Sequence, residues 1–577
     1  MKSNAKFTPS DQYLVGPKLF TLLGSLTLVT FLVCLDTSIM GTAIPRITSE
    51  FHSLPDVGWY IGAFTLASAT LQPLSGKLYT HFSTKVGNAF SLGSVTPLIV
   101  WQIVFLTFVF LFELGSLLCG VASSSAALIV GRVVAGLGAS GIVNGAMTML
   151  AGAVPMEKSP VYTGIVLGTA QMGIVAGPLI GGALTEHATW RWCTLSYVLF
   201  TSSEADVGSI AGFYMNLPIG GVAAALIAFV PVPERISKSR FTISLIREVI
   251  PDLDLFGFTL FVPSSIMLLL ALQLGSGGTY AWNSSTVIGL WCGAGVCAVL
   301  FIFWENRMED KAMLPGKLLG KRVVWTSCVY ASCIITCMMT ASIWMPTYFQ
   351  AVRGNGPTDS GVHVLPSILS QLVVVIGTGA AVSRMGYYLP WALTGGIITA
   401  VGNGLVSTFT ASTSTAVWIG YQIVMGAGRG CGMQMAIIAV QNAVPPAQYP
   451  VALASLVFFQ NLSTSIAVVI ANTIFAQTLT STITRYVPSI SPQAVLDAGS
   501  GASAVRALVP PEELDGMLRA YSQSLRNVFY FLVGIACLAV FASLGMGLKD
   551  IRKKSGKSEG DVVMDEICED GKKSEEP

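Results

Sequence analysis

Charge is what this 577-residue sequence has least of. Asp, Glu, Lys and Arg make up 11% of it, against about 25% in an ordinary soluble domain. So few charges cannot cover a water-exposed surface of normal size, so most of the surface must face lipid. This scarcity excludes a soluble globular enzyme and a disordered chain, and the balance of 32 basic against 30 acidic residues excludes a basic nucleic-acid binder. No CxxC pair occurs. The 11 cysteines fall mostly inside apolar runs (Cys34, Cys119, Cys292, Cys328, Cys537), with no histidine partners nearby. They read as small buried hydrophobes, not as disulfides or metal ligands. A GxxxxGK[ST] string is also missing, which excludes an ATP-driven pump. No small-residue cleavage site follows the first apolar run, so that run is expected to persist as a span.

What is present is apolar: 53% of residues are hydrophobic, and 59 are glycine, as suits closely packed membrane helices. A span takes about 20 apolar residues. About fourteen such runs can be read, near 19–42, 57–79, 103–122, 126–150, 161–184, 212–230, 255–274, 285–304, 323–349, 362–383, 389–410, 416–438, 452–477 and 526–548. Lys2, Lys6 and Lys18 precede the first run and put the N-terminus in the cytoplasm. Alternate loops then carry Lys77 and Lys85, Lys158, Arg235 to Arg247, Arg307 to Arg322, and Arg384; the tail carries Lys549 to Lys557. The outside loops are nearly free of Lys and Arg, apart from Arg191, Arg353 and the segment 478–524. This bias fits an even number of spans with both termini cytoplasmic. Asn283 heads a sequon in an outside loop and is a glycosylation candidate. The segment 478–524 reads as the only sizeable polar loop. Its Pro510-Pro511-Glu512-Glu513-Leu514 suits either a short helix on the membrane surface or an irregular linker.

Ionisable groups at membrane depth are costly in lipid, so each marks a candidate site facing the bundle interior. Four stand out: Asp36, Glu113, Arg132 and Arg429. A carboxylate beside a buried arginine can relay a proton, or the two can form a fixed ion pair that never titrates; the sequence leaves both open. Arginine keeps its own proton but can hold a carboxylate or attract an anionic substrate group. The fifth run carries Gly173, Gly177, Pro178, Gly181 and Gly182, a glycine flank with a proline bend. Such a seam makes either a hinge or a tight, leak-proof helix contact.

That G-x-x-x-G-P-x-x-G-G string resembles the antiporter motif of the major facilitator superfamily. Leu128 to Gly138, with Arg132, is similar to the superfamily's fourth-span motif. Leu35 to Pro45, with Asp36 in the acidic place, is similar to the first-span signature of its fourteen-span drug:proton antiporters. Gly428-Arg429-Gly430-Cys431-Gly432-Met433-Gln434 and Val440-Gln441-Asn442 resemble the fungal branch, which includes pumps for gliotoxin, HC-toxin and aflatoxin-type compounds.

The resemblance implies an all-α integral membrane protein of the major facilitator fold, two six-helix halves plus two inserted helices. It divides the chain into a cytoplasmic N-terminus 1–18, a first half 19–230, a linker with two extra helices 231–322, a second half 323–548 and a disordered cytoplasmic tail 549–577. It implies a proton-coupled exporter of a small hydrophobic secondary metabolite, toxin or drug, working by alternating access. Such a protein is not an enzyme and has no cofactor or metal beyond the proton gradient. Its partners would be a small-molecule substrate and membrane lipid, with no nucleic acid. It would be a monomer in the plasma membrane, or alternatively in a vacuole or vesicle membrane. An uptake carrier of the same fold, for a siderophore for example, and a non-transporting sensor stay open. Proton coupling falls to Asp36, Glu113 and Arg132. The substrate cavity falls to Gln171, Arg429, Gln434, Gln460 and Asn461, with Trp59, Tyr60, Trp344 and Tyr348 as aromatic candidates. Aromatics at span ends more often anchor the interface.

Two departures from the family pattern stand out. The loop Gly76 to Lys85 has Thr80 in place of the usual acid and Ser83 in place of a glycine, which puts the family's salt-bridge latch there in doubt. Segments 86–103 and 194–212 interrupt motifs that otherwise continue across them. Their length suits either in-frame retained introns or a lineage-specific loop extension, and a loop tolerates both.

Overall fold

The computed structural model describes residues 13–51, 57–81, 103–187, 216–229, 253–276, 280–308, 312–491, 495 and 509–552. Among these the regular structure is helical, and one helix stands in the place of each expected run. They are α1 (Pro17–Phe51), α2 (Val57–His81), α3 (Ile103–Gly120), α4 (Ser125–Ala153), α5 (Ser159–His187), α6 (Asn216–Phe229) and α7 (Leu255–Ser276). Then follow α8 (Ser285–Met308), α9 (Arg322–Thr347), α10 (Leu365–Met385), α11 (Leu389–Val406), α12 (Thr415–Gly432, continued by Met435–Ala443), α13 (Tyr449–Tyr486) and α14 (Leu514–Leu544). Eleven of these segments are long and apolar enough to cross a membrane; α2, α5 and α6 complete the set.

Local chemistry sets the helix ends. The Ser124 hydroxyl caps α4 by accepting from the Ala127 N–H at 3.3 Å. Proline opens α10, α11 and α13, where its missing N–H has no intrahelical acceptor to lose. Gly386 ends α10 with φ 82°, a left-handed turn that favours glycine.

The bundle has two halves with the same pairings. Helix α1 packs on α5 as α9 packs on α13, and α2 on α4 as α10 on α12. Helix α3 packs on α4 as α11 on α12, and α1 on α6 as α9 on α14. The halves meet where α5 lies along α10 and α2 along α13. Helices α7 and α8 form an extra hairpin outside this set, with α7 resting on α2 and α13. One end of the hairpin is pinned by Asp254. Its carboxylate accepts from Gly257 N at 3.0 Å, Trp304 Nε1 at 2.7 Å and Met313 N at 3.2 Å.

One expectation is corrected. The segment 478–524 is helical at both of its ends, because α13 runs on to Tyr486 and α14 already starts at Leu514. The Pro-Pro-Glu-Glu run therefore leads into the last span itself, not into a separate surface helix. Polarity misled here because Thr480, Thr482 and Thr484 turn their hydroxyls back onto carbonyls one turn earlier, at 2.7–2.9 Å. The apolar face of the extension, Leu479, Ile483 and Val487, packs with Met517, Tyr521 and Leu525. The two interrupting segments lie outside the described residues, except for Ile103, which opens α3; residues 553–577 of the tail also lie outside them.

Candidate functional site

The first half holds a buried charge centre. Arg132 on α4 donates to the Asp36 carboxylate on α1 at 2.5 Å, with both side chains 1% exposed. Arg132 Nε also donates to the Tyr60 carbonyl at 3.0 Å, and the guanidinium sits 4.5 Å from the Phe64 ring centroid on α2. Small residues bring these helices close enough. A Cβ at Gly136 would run into the Phe64 carbonyl, and one at Gly138 into the Phe112 backbone. Three helices thereby converge on one arginine.

Glu113 on α3 shares this interior. It is buried, lies within electrostatic reach of Asp36, and has no hydrogen-bond partner on either oxygen among the described residues. Its carboxylate occupies the space where a Cβ of Gly220 on α6 would sit. The centre therefore has one acid bound to an arginine and one acid with no partner among the described residues.

The glycine string packs α5 onto α1 beside that centre. A Cβ at Gly173 would come within 2.6 Å of the Phe31 carbonyl and 2.8 Å of Leu35 N, and Gly177 abuts Ser38. The Ser38 hydroxyl donates to the Gly173 carbonyl at 3.2 Å. Pro178, Gly181 and Gly182 continue the same helix. Gln171 is buried on α5, whereas Gln460 and Asn461 are half-buried on α13. Arg429 is buried midway along the segment Thr415–Ala443. Of the aromatic candidates, Trp59 is half-buried on α2, Tyr60 bonds Ser125 at 2.9 Å, Tyr348 donates to the Thr410 carbonyl at 2.8 Å, and Trp344 lies against Phe475. Asn283 is exposed in the turn between α7 and α8.

Sequence reading missed a second feature, at the end of the bundle where α2 finishes and α5 begins. There the halves close on each other twice, in the same way. A Cβ at Gly76 would meet Ala454 at 2.6 Å and the Pro450 carbonyl at 2.9 Å; one at Gly379 would meet the Pro160 carbonyl at 2.5 Å. A buried amide lies under each contact. Asn144, with its amide set to satisfy both ends, donates to the Pro450 carbonyl at 3.3 Å and accepts from Ser75 Oγ and Gly76 N at 3.2 Å. Gln434, expected in the cavity, sits at the matching place, donating to the Val375 carbonyl at 2.8 Å beside Gly164 and Gly379. Ser159 and Gln441 bridge the halves nearby at 2.9 Å. A signal for this existed. Gly136 and Gly426, Asn144 and Gln434, Pro160 and Pro450, and Gln171 and Asn461 all stand at one constant separation in the chain.

Two like helical halves around buried charges, with a lipid-facing exterior, define a membrane carrier. The chain belongs to the Major Facilitator Superfamily, whose model matches residues 26–468. It is 52% identical to the MFS-type transporter calB of Penicillium decumbens, over 95% of this chain and 91% of that one. It is 44% identical to the efflux pump mlcE of Penicillium citrinum, over 94% of this chain and 93% of that one. Among solved structures, the human organic anion transporter MFSD10 shares the fold with a TM-score of 0.56 at 11% identity, covering 92% of this chain and 100% of that one.

Proposed function

We propose that this chain is a proton-coupled exporter that moves a small hydrophobic secondary metabolite, toxin or drug by alternating access. The observation that carries the reading is the Asp36–Arg132 pair beside Glu113, which has no partner among the described residues. High identity to fungal proteins that include a named efflux pump supports the direction. The loops at the closed end carry the basic residues, so that end is cytoplasmic and both termini lie there. The protein works as a monomer in the plasma membrane, uses the proton gradient and no cofactor, and performs no chemistry on its substrate. Asn283 is the glycosylation site on the outer face.

A proton arriving from outside neutralises Asp36 and releases Arg132 from it. The contact of α1 with α4 loosens, and the cytoplasmic closure between the halves can open. Glu113 accepts a proton without breaking any ion pair, so it serves as the second carrier in the relay.

Accumulation of a lipophilic fluorescent dye in inside-out vesicles with an acidic lumen, where export appears as uptake against the outward proton flow, tests this. Asp36→Asn should bind dye yet lose gradient-driven movement. Full pH-dependent export by that variant would refute the coupling, and dye moving with the proton would favour an uptake carrier.

A further inference from the structure

Arg429 is a buried cation without a counter-ion among the described residues. It is 3% exposed, and its Nε and Nη2 have no hydrogen-bond partner among the described residues. Arg132 shows how the same chain treats a buried guanidinium elsewhere, giving it a carboxylate, a carbonyl and an aromatic face.

The long helices of the second half have no acid at membrane depth to offer. Helices α9 to α13 contain no Asp or Glu, and the one acid in α14, Asp515, lies in its first turn, paired with Arg519 at 2.9 Å. The neighbours of Arg429 are otherwise engaged. The Cys337 thiol donates to the Leu532 carbonyl at 3.5 Å, and the Gln371 amide points to the sulfurs of Met338 and Met433. Two further donors, on helices that pack against α12, lack acceptors among the described residues. Asn403 follows Gly402, which packs on Met425 one turn before Arg429, and both of its amide atoms are unpartnered. Thr340, one turn from Cys337 on α9, has a hydroxyl with no partner among the described residues.

An unpaired buried charge is costly, and a bound anion removes that cost. Nε and Nη2 form the side-on edge of the guanidinium, whose two parallel N–H groups match the two oxygens of a carboxylate. We infer that the substrate is a hydrophobic organic acid whose carboxylate seats on the Nε–Nη2 edge of Arg429. Asn403 and Thr340 supply further donors, and Met338, Met425 and Met433 offer a soft apolar wall for the rest of the molecule. This rests on the export reading above and narrows its substrate class.

The test uses the full-length protein in nanodiscs, with 1-pyrenebutyrate and its neutral amide as probes. Wild type should bind the acid at least about ten-fold more tightly than the amide. Arg429→Gln should lose that preference while remaining folded by thermal melting, and Arg429→Lys should keep part of it. Equal binding of acid and amide by wild type, or an acid preference that survives Arg429→Gln, would overturn the inference. A transport arm separates the two readings. If wild-type vesicles move neither probe against a pH gradient, the export reading fails. If they move the amide as well as the acid, only the anion inference falls.

Discussion

Asp36 and Arg132 form the tightest buried ion pair among the described residues, and their energetics are asymmetric. Removing one partner of a buried pair typically costs about 3–5 kcal/mol, because the other charge is left without compensation, whereas replacing both is often near neutral. Asp36→Asn should therefore lower the melting temperature of the detergent-solubilised protein, and adding Arg132→Gln should restore part of the loss. A double variant less stable than the single would show that Arg132 is held mainly by Tyr60 and Phe64. At this scale the sequence was readable in part. A charge inside an apolar run announces itself, so Asp36, Glu113, Arg132 and Arg429 were all visible. Which acid meets which arginine was not, because the partners lie on helices far apart in the chain.

Helix α5 is wedged between α1 and α10, with glycines on both contacts. Gly173 and Gly177 face α1, and Gly164 and Gly168 face Val375 and Leu372 of α10. A methyl group at Gly173 pushes first against backbone, the Phe31 carbonyl and Leu35 N, and then against the Cys34 Cβ, and overpacking of this kind costs about 1–3 kcal/mol. Gly173→Ala should displace α1 near Asp36, lowering both thermal stability and the rate of proton-driven dye export. Unchanged export would assign the seam a purely structural role. The glycine string was legible as a close-packing motif, but nothing in it named α1 as its partner. The α13–α14 extension was misread for a different reason. Threonines that bond back to their own helix look like a loop when judged by polarity alone.

For the whole molecule, closure at one end is a pair of equivalent contacts. Each half sends a glycine (Gly76, Gly379) against a proline carbonyl of the other (Pro450, Pro160), over a buried amide. Prying one contact apart should bias the carrier toward opening at that end. A 1–3 kcal/mol penalty from Gly379→Ala would change the open-to-closed ratio by roughly five- to 150-fold. Labelling of a cysteine placed at Ser159 by a polar thiol reagent, in a background without reactive native cysteines, should quicken accordingly. No change in labelling rate would mean that the amide network, not the glycine contact, holds the end shut.

The sequence by itself determined that the chain lives in lipid, where its helices fall and which residues carry charge at depth. These follow from transfer free energies and helix signals that act locally along the chain. Only the tertiary structure decided that Arg132 has a counter-ion while Arg429 has none among the described residues, and that Gln434 lies under a contact between the halves. Charge pairing and helix contact depend on distances between segments far apart in sequence, and no local pattern encodes those distances.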